Sequence, residues 1–130
     1  MSEENMEIVR GFFEQWGSVP WRDQMAEDVV WDISASPFSN AGVYRGHAGV
    51  EKIFSSWLGA WEDPSPDLLE LIDAGDSVFS AFRWRGRGRT SGAEVKRDFF
   101  GVYEFRDGLL IRYSQIETRE EALAAAGLSE

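Results

Sequence analysis

The stretch from Ser77 to Glu117 constrains this chain more than any other. It reads as three long antiparallel strands, Ser77–Arg89, Ala93–Phe105 and Leu109–Glu117. The joints are Thr90-Ser91-Gly92 and Asp107-Gly108, and Asp-Gly between alternating apolar runs is a strong hairpin signal. Helical patterns come before the meander and would close over one face of it. The space between those helices and a curved sheet is where function is to be sought.

The first helix spans residues 3–16. Val9, Phe12, Phe13 and Trp16 follow one another at helical spacing, with Glu3 and Glu4 in the first turn where they favour the helix dipole. A short second helix is expected over Trp21–Ala26, then a strand over Val29–Ile33 and an edge strand over Val43–Arg45. The third helix opens at Gly46-His47. Its apolar face runs through Val50, Ile53, Phe54, Trp57, Leu58 and Trp61, and Asp63-Pro64-Ser65-Pro66 should stop it. Leu68–Ile72 starts the main sheet. Thr118 and Glu121 form a capping box for a last helix, Arg119–Ala126, with Gly127 and Leu128 as a Schellman end. Helix, helix, strand, helix and then a long meander is an α+β order, and a chain of 130 residues without repeats or linkers reads as one domain, 1–130.

Composition removes several function classes. The formal net charge of −10 argues against nucleic acid or an anionic membrane as partner, although eight of the 13 basic residues fall between Arg83 and Arg112. With no Cys, one His, no acidic loop at calcium-ligand spacing and no phosphate-binding glycine loop, neither a metal nor a cofactor is expected. The lack of Cys suits a reducing compartment, and no signal peptide or long apolar run is evident, so a cytoplasmic protein is expected. The 18 aromatics, six of them Trp, could fill a core or line a cavity.

Few side chains stand out as chemistry. His47 is either a general base at a pocket mouth or a partly exposed helix-start residue. Asp32 is the other candidate base, but alternation places it opposite Trp31 and Ile33, on the far side of its strand. Arg83, Arg85, Arg87 and Arg89 share one strand face, with Phe82 and Trp84 on the other. They form either an anion site inside the sheet's curve, or a solvated outer face or a dimer interface opposite acids. Burying unpaired arginines is very unfavourable, which speaks for the outer face, with Arg83 the one placed to reach a ligand. On the last two strands Phe99, Gly101, Tyr103 and Phe105 share a face, as do Ile111, Tyr113, Gln115 and Glu117. If these faces point inward, Tyr103, Tyr113 and Gln115 supply the polar contacts among aromatics.

The element order and three phrases resemble the nuclear transport factor 2-like superfamily, and within it the SnoaL-like group. The phrases are Ala26-Glu27-Asp28-Val29-Val30-Trp31, Tyr44-Arg45-Gly46-His47-Ala48-Gly49-Val50, and Gly101-Val102-Tyr103-Glu104-Phe105-Arg106-Asp107-Gly108-Leu109-Leu110. The resemblance implies a cone-shaped, strongly bent sheet closed by helices, an apolar cavity, and a homodimer through the outer sheet face. It does not select a reaction. Where ketosteroid isomerases keep their Tyr and two Asp, this chain has Phe12, Ile33 and Gly101. Where epoxide-hydrolase-like and cyclase members keep carboxylates, it has Arg85 and Gln115, and a Gln cannot abstract a proton.

The resulting expectation is a small-molecule-binding protein for an apolar or aromatic ligand. Phe12, Trp16, Trp31, Phe54, Trp57, Arg83, Phe99, Tyr103, Tyr113 and Gln115 would contact that ligand. The alternatives are a cofactor-independent isomerase, cyclase or hydrolase using Asp32 or His47, and a dimeric protein-interaction module whose interior is filled by its own aromatics.

Overall fold

The computed structural model describes residues 2–14, 21–38 and 40–128. Helix α1 (Ser2–Glu14) is followed by a 3-10 turn (Trp21–Gln24), β1 (Met25–Asp32), β2 (Val43–Arg45) and α2 (Gly46–Gly59). Then come β3 (Trp61–Asp73), β4 (Ser77–Gly88), β5 (Glu94–Arg106), β6 (Leu109–Ile116) and α3 (Arg119–Ala125). The strands form one sheet in the order β2-β1-β6-β5-β4-β3, antiparallel throughout except where β1 runs parallel to β6. This is the expected α+β class: a curled, unclosed sheet with helices at both chain ends.

The meander forms as the alternation predicts except at the start of β6, where a register shift puts Leu110 rather than Ile111 in the core with Tyr113. At the β5–β6 turn Asp107 and Gly108 take φ of 53° and 80°, the paired positive values that a two-residue hairpin needs. Register shifts in β3 and at Glu104/Phe105 mark bulges, the irregularities that let long strands curl. Thr118 Oγ1 accepts from the Glu121 N–H at 3.2 Å and caps α3. At its other end the Leu128 N–H reaches Leu123 O at 2.8 Å and the Gly127 N–H reaches Ala124 O at 3.0 Å, the Schellman pair.

Two elements differ from expectation. The segment after the 3-10 turn is already strand at Met25, so no second helix reaches Ala26. Glu27 and Asp28 break the apolar pattern there, and the pairing with β6 is irregular between Met25 and Val30. The second difference is larger. Trp61 does not close the α2 face but opens β3, which contains both Pro64 and Pro66. Prolines fit because β3 is an edge strand, where a missing N–H costs no ladder bond on the open side.

The two faces of the sheet are packed differently. Inward, Val9 of α1, Val29 and Ile33, Val50 and Ile53 of α2, and Val78, Tyr103 and Tyr113 form the main core. A second cluster joins Trp61, Trp84 and Phe99 to Trp57 and Phe38. Outward, α3 lays Ala122, Leu123 and Ala126 over Phe79, Ala81 and Val102. Among the described residues no helix is long and apolar enough to cross a membrane.

Candidate functional site

Between α1, α2, the loop after β1 and the inner face of the sheet lies a cavity of about 350 Å³. Period two on β4, β5 and β6 and period 3.6 on α2 aim bulky side chains into it. Phe12 and Phe13 come from α1, Trp31 from β1, Phe54 and Trp57 from α2, and Phe82, Trp84 and Phe99 from the sheet. Three neutral polar side chains, Tyr103, Tyr113 and Gln115, face it from β5 and β6. Ser36, Asn40, Glu51 and Ser55 form its rim.

Both tyrosines are 3% exposed, so the polar end is deep. The Tyr113 ring stacks on Trp31 with centroids 4.4 Å apart and lies 4.8 Å from Tyr103. It also fills the space over Gly101, where a Cβ would stand 2.5 Å from Tyr113 Cε1 and 2.9 Å from its hydroxyl. Gln115 is the cross-strand partner of Gly101 and, like Tyr113, lines the cavity. Ser80, fully buried, donates its hydroxyl to the Tyr103 oxygen at 3.3 Å. Burial pushes both phenols well above their usual range. The Ser80 hydrogen bond partly offsets this at Tyr103, and the neighbouring Tyr103 adds to it at Tyr113. Both stay protonated across the physiological range and can serve as donors.

Of the ten residues expected to contact a ligand, eight stand around this cavity: Phe12, Trp31, Phe54, Trp57, Phe99, Tyr103, Tyr113 and Gln115. Trp16 lies outside the described residues. Arg83 does not face the cavity. It sits on the outer sheet face, where Nε and Nη2 donate to the two Asp98 oxygens at 2.7 and 3.2 Å. Arg85 pairs with Asp67 on β3, and Arg87 donates to Glu94 at 2.6 Å and to Gly92 O at 3.0 Å. The outer face is therefore the side found for these three arginines, and the acids that meet them come from the neighbouring strands of the same chain.

Neither candidate base lines the cavity. Asp32 points to the outer face, taking 2.8 Å from Arg112 Nη2, 3.0 Å from the Ser34 N–H and 2.7 Å from the Ser34 hydroxyl. Partial burial alone would raise its pKa, but the Ser34 hydrogen bonds and Arg112 together hold it below the ordinary carboxylate value. His47 Nε2–H donates to Met25 O at 3.0 Å and so ties the start of α2 to β1.

The sequence reading did not include Phe13, Phe82, Trp84 or Glu51 among the contacts. The first three had a signal: Phe13 belongs to the apolar stripe of α1, and Phe82 and Trp84 oppose the arginines. Glu51 had none, being an acid beside an apolar helix face. Its carboxylate pairs with Arg22 of the 3-10 turn at 2.7 Å. Among the described residues no group of three potential metal ligands comes together.

The model of the SnoaL-like domain family matches residues 9–113. The chain belongs to that family. No curated protein matches it. Solved structures agree on the SnoaL-like fold. A nuclear transport factor 2-like protein of unknown function from Burkholderia pseudomallei gives a TM-score of 0.75 at 20% identity, covering 93% of this chain and 95% of that one. A proposed SnoaL-like polyketide cyclase from Jannaschia sp. gives 0.75 at 19%, covering 96% and 92%. A protein with a ketosteroid isomerase-like fold from Catenulispora acidiphila, solved with trimethylamine, gives 0.72 at 15%, covering 95% and 94%. At these identities the likeness is one of fold.

Proposed function

We propose that this SnoaL-like protein binds a small, largely apolar or aromatic molecule, held by the aromatic walls and oriented by Tyr113 and Gln115. The observation that carries the reading is the composition of the cavity. Its volume lies within the range of small-molecule sites, roughly 300–1,000 Å³. Its deep polar groups are neutral hydrogen-bonding groups rather than a general base. Asp32 and His47 are occupied elsewhere, which supports binding over acid–base catalysis. A ligand oxygen that reaches both Tyr113 and Gln115 would receive a phenol hydrogen bond and, from the carboxamide, a second one.

Three wall tryptophans, Trp31, Trp57 and Trp84, make the reading testable without a label. Aromatic ketones and phenols of two or three rings should quench intrinsic fluorescence saturably and raise Tm. Tyr113→Phe combined with Gln115→Leu should weaken ligands bearing a carbonyl more than their hydrocarbon parents. A panel with no saturable binder refutes the reading, and cofactor-free turnover of a bound compound would replace it with catalysis. Self-association through the outer sheet face, the part not covered by α3, and a cytoplasmic location belong to the same proposal. Equilibrium sedimentation tests the first, and a monomer at micromolar concentration would remove it.

A further inference from the structure

We propose that the cavity prefers a hydrophobic monocation, an aromatic or alkyl body carrying a protonated amine, with the ammonium at Glu51 on the rim. The inference rests on the binding function proposed above and specifies its ligand. It starts from the charges around the cavity. Among the described lining residues Glu51 is the one ionised side chain, and no Lys or Arg is among them. Arg83, Arg85 and Arg87, which alternate with lining residues on β4, lie on the far face of the sheet against Asp98, Asp67 and Glu94.

The deep end adds no positive charge. Tyr103 and Tyr113 stay neutral, and Gln115 is neutral by nature. The rest of the wall is largely aromatic, and ring faces are the negative side of their quadrupole, which attracts cations. A carboxylate or phosphate on the ligand would be stripped of water with no counter-charge among the described lining residues. An ammonium meets the opposite situation.

The rim has the right geometry. Glu51, Phe54, Ser55 and Leu58 follow at i, i+3, i+4 and i+7 along α2, and all four line the cavity. Glu51 thus stands one turn from Phe54 on the face of α2 that borders the cavity. Its present partner, Arg22, is not an obstacle. The pair is solvent-exposed, with side-chain exposures of 45% and 60%, and exposed pairs of this kind are weak enough to exchange. An arriving ammonium competes with the guanidinium for one carboxylate. The overall charge of −10 adds long-range attraction for cations.

The test uses three probes of one shape: 2-naphthylmethylammonium, 2-naphthalenemethanol and 2-naphthoate. Dissociation constants come from tryptophan quenching at low ionic strength and neutral pH. The ammonium should bind about fivefold tighter than the alcohol, as expected of one exposed charge contact plus a cation–π term, and the carboxylate weakest. Raising salt should narrow the gap. Glu51→Gln should bring the ammonium-to-alcohol ratio close to one. Arg22→Gln, which removes the competitor, should widen it. An alcohol that binds as tightly as the ammonium, or an advantage that survives Glu51→Gln, overturns the inference while leaving the binding function standing. If none of the three binds and the wider panel is also silent, the binding function itself fails.

Discussion

Gly101→Ala is the substitution most directly dictated by the site. The new methyl would sit 2.5 Å from Tyr113 Cε1 and 2.9 Å from the hydroxyl, separations that real Cβ atoms do not show. The ring cannot simply step aside. It is 3% exposed, stacked on Trp31 at 4.4 Å and braced by Tyr103 at 4.8 Å. Overpacking of this kind costs about 1–3 kcal/mol. Replacing a mid-strand Gly by Ala returns roughly 0.5–1 kcal/mol of backbone entropy. A net loss of about 1–2 kcal/mol is expected, and for a domain of this size that lowers Tm by roughly 3–10 °C.

Urea denaturation of four proteins isolates the cause: wild type, Gly101→Ala, Tyr113→Leu and the double variant. A leucine lacks the atoms that clash, so in its background Ala at 101 should be neutral or stabilising, a coupling on the order of 1–2 kcal/mol. Gly101→Ala should also weaken carbonyl-bearing ligands, because the Tyr113 hydroxyl is driven from its place over Gly101. A Gly101→Ala protein as stable as wild type would refute the argument. So would a cost that is the same with Leu at 113, since the strain would then not lie in the Tyr113 ring.

Three further outcomes follow from the same structure. Tyr103→Phe strands the buried Ser80 hydroxyl and should cost roughly 1–3 kcal/mol, whereas Tyr113→Phe, whose hydroxyl has no hydrogen bond to another described residue, should stay within about 0.5 kcal/mol; urea midpoints compare them. Thr118→Ala removes the α3 cap and should cost roughly 0.5–2 kcal/mol, read as a drop in Tm. Stability should fall at both pH extremes. Asp98 and Glu70, held low chiefly by hydrogen bonds from Arg83 and Arg119, and Asp32 contribute stability present above their unfolded pKa near 4 and lost as pH falls through the lower folded values. Tyr103 and Tyr113, raised by burial, bind protons that the unfolded chain gives up, so stability also declines as pH climbs past about 10. Urea midpoints from pH 3 to 11 that stay flat at either end would contradict the corresponding pairing or burial.

The residues legible in the sequence are those whose partners are local. Asp107-Gly108, the pairing of Gly101 and Tyr103 with Gln115 and Tyr113, and the Thr118 cap each act within a few residues, and each is where the pattern puts it. Trp61 is different. It falls at a helical interval after Trp57 and also begins an apolar-poor strand. It does pack on Trp57, at 5.2 Å, but also on Trp84 at 5.7 Å and Phe38 at 5.9 Å, distant rings that local periodicity does not contain. Pro64 and Pro66 misled in the same way, since their tolerance depends on β3 lying at the sheet's edge. The rim carboxylate Glu51 was invisible for a third reason. Nothing about an acid beside an apolar stripe says that the stripe borders an opening.

Which way β4 faces decides the chemistry of the interior. Its inner positions are Val78, Ser80, Phe82 and Trp84, and its outer positions are Phe79, Ala81, Arg83, Arg85 and Arg87. A slip of one residue would exchange the two sets, because strand side chains alternate. Three independent partners oppose that slip. Trp84, 1% exposed, is packed against Trp57 and Trp61. Phe79 and Ala81 have α3 as their cover. Asp98 and Glu94 stand directly across from Arg83 and Arg87 on β5. Once the arginines are turned outward, no Lys or Arg is among the described residues that line the aromatic cavity, and its one acid is Glu51 at the rim, paired with Arg22. The preference for an ammonium is thus a consequence of strand phase, and it can be reversed in one place. Replacing the carboxylate and adding a Lys one turn on, Glu51→Gln with Ser55→Lys, should invert the order of the naphthalene probes so that 2-naphthoate binds tightest. If the order stays as in wild type, charge at the rim does not govern selection.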